Sequence, residues 1–246
     1  RRAHKTLRIL RSFYPELVQD DRNVNQLLIG QMRYAGHTLI FDESNHWQKL
    51  WALYTLSKCA EKLEKRLKKR GPLRVDWINE KFTRPGRIGM TILPGRKDYS
   101  RSLDDDLKTM KKQGVTHVLS LLTVDELETY GVENLLDALV NAGFTGYFFP
   151  IADQGISSIE EMNALVDWLD GALSENGSVM VHCVGGLGRS GLATACYLIS
   201  RGMDADSAIE EVRRVRTERA IESAVQEKFI QTYAYHHKAS KYFNNE

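Results

Sequence analysis

The chain has 246 residues, of which 42% are hydrophobic and 27% charged, and a formal net charge of +2. That balance suits a globular protein of one large domain or two small ones. Only five prolines and 18 glycines exclude collagen-like and Pro-rich disordered chains, and no run reaches the roughly 18 apolar residues of a membrane span.

In chain order, residues 4–14 are predicted as a short helix stopped near Pro15. A second, weakened by Gly30, covers 23–34. Trp47, Leu50, Trp51, Tyr54, Leu56, Leu63 and Leu67 recur near the 3.6-residue period of a third helix. Asp42, Ser44 or Asn45 caps its start and Gly71-Pro72 ends it. Its Trp pair belongs to the apolar stripe and is read as core. Residues 1–72 therefore form a helical region, and a basic one. They carry 15 Lys/Arg against 7 Asp/Glu, while the remainder carries 19 against 25. Much of that charge is the run from Lys62 to Arg70, read as a solvated helix face.

After Pro72 the pattern changes, and residues 73–246 form a second region. Strands are predicted at 74–78, 87–93, 116–121, 146–151 and 178–182. Helices are predicted at 103–113, 132–142, 158–174, 190–201, 205–216 and 223–240. Alternating units imply an α/β layer fold with a mostly parallel sheet of about five strands. The apolar strand Ser178–His182 belongs mid-sheet. Sites in such folds lie beyond the C-terminal strand ends, which directs attention to the residues after His182.

Cys59, Cys183 and Cys196 cannot all pair, and no Cys-x-x-Cys spacing suggests a zinc ribbon. Free thiols imply the cytoplasm or another reducing compartment. Cys196 lies among Ala193, Ala195, Leu198 and Ile199 and is read as packing, as is Cys59.

After the strand the chain reads His182-Cys183-Val184-Gly185-Gly186-Leu187-Gly188-Arg189-Ser190-Gly191. Gly186, Gly188 and Gly191 match the spacing of a dinucleotide fingerprint, but no second strand with an acid follows. A P-loop reading lacks its Lys. Cys183 with Arg189 five residues on is chemically coherent. Glycines at a strand–helix junction let backbone N–H groups converge on one point. The helix start adds its positive dipole end, making an anion cradle. Helix N-termini and cations favour the nucleophilic thiolate, and the Arg fork suits two phosphate oxygens. A phosphocysteine intermediate follows. The leaving oxygen needs a proton, and Asp153 ends a predicted strand in a neighbouring loop.

His182-Cys183 followed by Arg189-Ser190 resembles the signature of the cysteine-dependent protein tyrosine phosphatase superfamily, especially the kinase-associated, cyclin-dependent kinase inhibitor 3 type. Residues 88–95, Glu126-Leu127, Asn134 to Asp137, Pro150 to Asp153 and Arg219 to Gln226 are similar to that group. The resemblance spans about 77–235. It implies a protein tyrosine phosphatase-like fold, attack by Cys183, and phosphoryl binding by the amides of Val184, Gly185, Gly186, Leu187 and Gly188 with Arg189. It further implies Asp153 as general acid and then base, Ser190 bonded to the Cys183 sulfur, Gln226 orienting water, and His182 fixing the loop. No metal or cofactor is needed. Without the extra lysines of phosphoinositide phosphatases in the loop, phosphoprotein substrates with phospho-Ser, Thr or Tyr are expected. Phosphoinositide, sugar or nucleotide phosphates, or a non-catalytic phosphate-binding module, are the alternatives. Residues 1–72 are open to an acidic protein or an anionic membrane, and no nucleic acid is expected.

Overall fold

The computed structural model describes residues 71–243. The chain divides after Gly71, and the three N-terminal helices expected from the sequence lie outside the described residues.

Five strands make one sheet: β1 Asp76–Trp77, β2 Arg87–Thr91, β3 His117–Ser120, β4 Thr145–Phe148 and β5 Ser178–His182. Their order is β1-β2-β5-β3-β4. β1 runs antiparallel to β2, and the other three pairings are parallel. The expected strand 178–182 is central and buried at every position. Side chains alternate across a strand, so Val179 and Val181 join one apolar core while Met180 joins the other. β3 repeats the division with Leu119 and Val118. Two-sided burial explains its run of apolar residues, each contributing about 1.5–3 kcal/mol on burial.

Strand β4 stops at Phe148, three residues before the predicted end. Pro150 has no N–H to continue a ladder. The chain nevertheless stays beside β3, because the N–H groups of Phe149 and Ile151 reach the carbonyls of Ser120 and Leu121. That keeps the next residues, Ala152 to Gly155, near the end of β5.

Helices α1 Leu103–Lys112, α2 Val124–Thr129 and α3 Leu135–Asn141 precede α4 Ile159–Ser174, α5 Gly188–Ser200, α6 Ala205–Val215 and α7 Ala224–Phe243. Ser158 caps α4: its Oγ accepts from Glu161 N at 3.1 Å, and the Glu161 carboxylate accepts from Ser158 N at 2.8 Å. Met162, Leu165, Val166, Leu169 and Leu173 form its buried stripe. Helix α5 is buried from Gly188 to Ile199. It is enclosed by α4, α6 and α7 as well as the sheet, which accounts for its nearly unbroken small and apolar sequence. α2 is too short for a periodic signal, and the sequence reading missed it.

Candidate active site

Cys183 follows β5 directly and is buried. The loop from there to Leu187 turns sharply at Gly186, whose φ is +64°. A Cβ at Gly186 would stand 2.0 Å from the Thr91 carbonyl oxygen, so position and backbone both demand glycine. The loop carbonyls face outward to partners. Val184 O accepts from Leu93 N at 3.1 Å and from Arg96 Nη1 at 2.9 Å. Gly185 O and Gly186 O accept from Arg216 Nη2 and Nε at 3.0 and 2.8 Å. In a planar trans peptide the next N–H points opposite to the C=O. The amides of Gly185, Gly186 and Leu187 are thereby directed away from the two arginines. Gly186 N–H donates to Cys183 Sγ at 3.2 Å.

Arg96 and Arg216 were not recognised as site residues in the sequence. Arg216 is held by buried Asp76 at 2.5 Å. Arg96 pairs with Asp98 at 2.6 Å and lies over the Tyr99 and Tyr130 rings. Nothing in local spacing links them to the loop.

Arg189, 2% exposed, lies in the first turn of α5. Its Nη1 and Nη2 donate to the two oxygens of Glu126 at 2.6 and 2.7 Å, a bidentate pair. Nη1 also donates to Ile151 O at 2.9 Å and Leu121 O at 3.3 Å, and Nη2 to Asp153 at 3.2 Å. Burial works against the Arg189 charge, yet the Glu126 bonds and the nearby Cys183, Glu126 and Asp153 raise its pKa. For Glu126, burial pushes the carboxyl up, but bonds from Arg189 and Thr123 outweigh this and hold it below its usual range. Thr123 N–H reaches the same carboxylate at 2.9 Å. The resemblance includes Glu126-Leu127 without giving Glu126 a role, and the Thr123-x-x-Glu126 capping pattern is a further local signal at this position.

Asp153 stands at the mouth, its side chain 69% exposed while it touches Arg189. The loop carrying it is tied to the residues before and within α7. Gln226 Nε2 donates to Gly155 O and Ser223 Oγ to Gln154 O, both at 3.2 Å. Gln226 is buried, and its Oε1 accepts from Glu222 N at 3.1 Å. Its amide thus braces the Asp153 loop.

Three expectations meet different geometry. Ser190 Oγ is buried without a hydrogen-bond partner, so the expected bond to Cys183 Sγ is not formed. The Gly188 N–H, expected for phosphate, donates to Glu222 Oε2 at 3.0 Å. Gln226 is engaged as described rather than open to water. His182 is wholly buried, its Nδ1 3.4 Å from Cys183 O and its Nε2 unpartnered. Burial lowers its pKa to about 4, with the Arg189 charge adding to the effect against the Cys183 contact. The ring is neutral at neutral pH, which suits a packing role. Cys196 is buried in α5, and burial drives its thiol pKa upward, as an inert packing group requires. Among the described residues, no three His, Cys, Asp or Glu side chains cluster as metal ligands, and no helix is long and apolar enough to cross a membrane.

The arrangement joins a thiol, a strand–loop–helix ring of amides and a buried guanidinium, with a carboxyl at the rim. The same fold occurs in solved phosphatase structures. The crystal structure of kinase associated phosphatase, its catalytic cysteine replaced by serine, superposes with a TM-score of 0.66 at 28% identity, covering 70% of this chain and 99% of that one. The active form of Tk-PTP gives 0.54 at 26% identity, over 65% and 96%. In sequence, the chain is 31% identical to cyclin-dependent kinase inhibitor 3 of Rattus norvegicus over 66% of this chain and 79% of that protein. It is 41% identical to protein tyrosine phosphatase domain-containing protein 1 of Mus musculus, over 57% and 19%. Residues 57–209 match the family model of cyclin-dependent kinase inhibitor 3 (CDKN3). The chain belongs to that family.

Proposed function

We propose that this protein hydrolyses phosphomonoesters of phospho-Ser, Thr and Tyr in proteins through a phosphocysteine intermediate. The observation that carries the reading is the convergence of Cys183, the amide loop and Arg189 with Asp153 at its rim. The Cys183 thiolate attacks phosphorus as the P–O bond to the leaving oxygen breaks. Loop amides and Arg189 hold the non-bridging oxygens where charge builds up. Asp153, in its acid form, gives the leaving oxygen its proton. As carboxylate it then takes a proton from water, which attacks phosphorus and releases Cys183 with inorganic phosphate. Incoming phosphate competes with Asp153 for Arg189 Nη2, freeing the carboxyl for this work. Ser190, at the foot of the loop, donates to the departing sulfur once the loop tightens, and Gln226 orients water when its Gly155 bond opens. Residues 73–246 act as the phosphatase domain, and basic residues 1–72 as a docking region for an acidic partner. The relatives' name makes a cyclin-dependent kinase the first phosphoprotein to try. A reducing intracellular compartment suits an oxidisable thiolate.

The test is turnover of a phenyl phosphate and of phosphopeptides beside soluble phosphoinositides. Cys183→Ser should abolish turnover and keep phosphate binding. Retention of most activity refutes the nucleophile, and turnover of lipid head groups alone refutes the protein substrate.

A further inference from the structure

The contact between Glu222 and Gly188 is unexplained by the mechanism. Glu222 Oε2 accepts from Gly188 N at 3.0 Å, and Gly188 is the first residue of α5. That amide lies at the positive end of a 13-residue helix and borders the loop from Cys183. The contact is close-fitted. A Cβ on Gly188 would stand 2.8 Å from the same Glu222 oxygen and 3.1–3.2 Å from the Gln226 amide. The Glu222 backbone that carries this carboxylate is held through its own N–H by Gln226 Oε1 at 3.1 Å.

We propose that Glu222 sets the affinity of the cradle: it is an internal anion that competes with substrate phosphate for the Gly188 amide and thereby weakens phosphate binding. The inference rests on the phosphatase reading above for the use of the cradle, though not for the competition itself. A carboxylate places one oxygen on one amide. A phosphoryl group brings three oxygens and more charge to several amides and Arg189, so it can displace the carboxylate. Displacement gives up a charge-assisted hydrogen bond and leaves two anions side by side. Alanine at 222 removes both penalties, and glutamine removes the charge, leaving at most a weaker neutral hydrogen bond to Gly188.

The experiment measures binding of inorganic phosphate to the full chain by calorimetry, together with its competitive inhibition constant against a phenyl phosphate. Wild type is compared with Glu222→Gln and Glu222→Ala. Both variants should bind phosphate more tightly, by about tenfold, with a parallel fall in KM. Damage to the fold would weaken binding, so a gain separates competition from a structural role. The near-isosteric Gln variant decides if the Ala variant does not fold. Unchanged or weaker phosphate binding in folded Glu222→Gln overturns the proposal. Absence of wild-type turnover would refute the hydrolase reading instead, and direct phosphate titration would still judge Glu222.

Discussion

Replacing Glu126 by Gln removes one negative charge and almost no volume, and the structure sets what this does. Glu126 meets Arg189 through two bonds of 2.6 and 2.7 Å, with side chains 17% and 2% exposed. Gln offers a single acceptor, so its NH2 must face an N–H of Arg189 or Thr123. Removing one partner of a buried pair costs about 3–5 kcal/mol. Asp153 and the carbonyls of Leu121 and Ile151 still receive Arg189, which places the loss near the lower end, at about 3 kcal/mol. For a domain of this size that lowers Tm by roughly 6–12 °C. The kinetic consequence is separate. Asp153 becomes the remaining carboxylate on a buried cation, held to Arg189 more strongly and drawn from the leaving group. Turnover should therefore fall more for alkyl than for nitrophenyl phosphates. The assay is thermal unfolding beside a leaving-group series. A Tm within about 1 °C of wild type, with kcat/KM unchanged on both substrates, refutes the assignment of Glu126 as the group that positions Arg189.

Asp153→Asn should lower kcat by roughly 10²–10⁴-fold on poor leaving groups and far less on nitrophenyl phosphate; equal losses remove Asp153 from the acid role. His182 gives an acid-sensitive stability. Its folded pKa of about 4 lies below the unfolded value of about 6.5, so the unfolded state binds more protons between these values. Stability is full above pH 6.5 and falls by about 3 kcal/mol as pH drops toward 4. Urea unfolding across that window should have a shallower pH slope in His182→Gln than in wild type, and identical slopes contradict the neutral buried ring. Gly186→Ala should destabilise by about 3 kcal/mol or more and abolish turnover, since its Cβ would clash with Thr91 O. Gly185→Ala, whose Cβ meets Leu187 side-chain atoms at 3.7 and 3.8 Å, should fold normally. Equal Tm values for the two variants would contradict the packing argument.

Local pattern was informative where neighbours in sequence carry the whole signal. The apolar run 178–182, the glycines after it and the helix beyond form a continuous strand–loop–helix segment, so Cys183 and Arg189 could be read as a site. The helical pattern at 158–174 likewise located α4. Pro150 shortened β4 for a reason already present in the sequence, but its hydrogen bonds beside β3 required the sheet.

What the linear order left open was which charges meet. Arg96 is 88 positions from the carbonyl it holds, Arg216 is 140 from Asp76, and Glu126 is 63 from Arg189. An arginine in isolation reads as a solvated cation, and only chain folding removes the water that makes such charges interchangeable. Glu222 and Ser190 show the same limit. Their residue types suit several partners, and the folded distances decided that one reaches the Gly188 amide while the other's hydroxyl meets none. The sequence by itself determined the Cys183 loop and the layers around it; the tertiary structure decided the ionic frame that holds it, because electrostatic partnership depends on separation and burial in space.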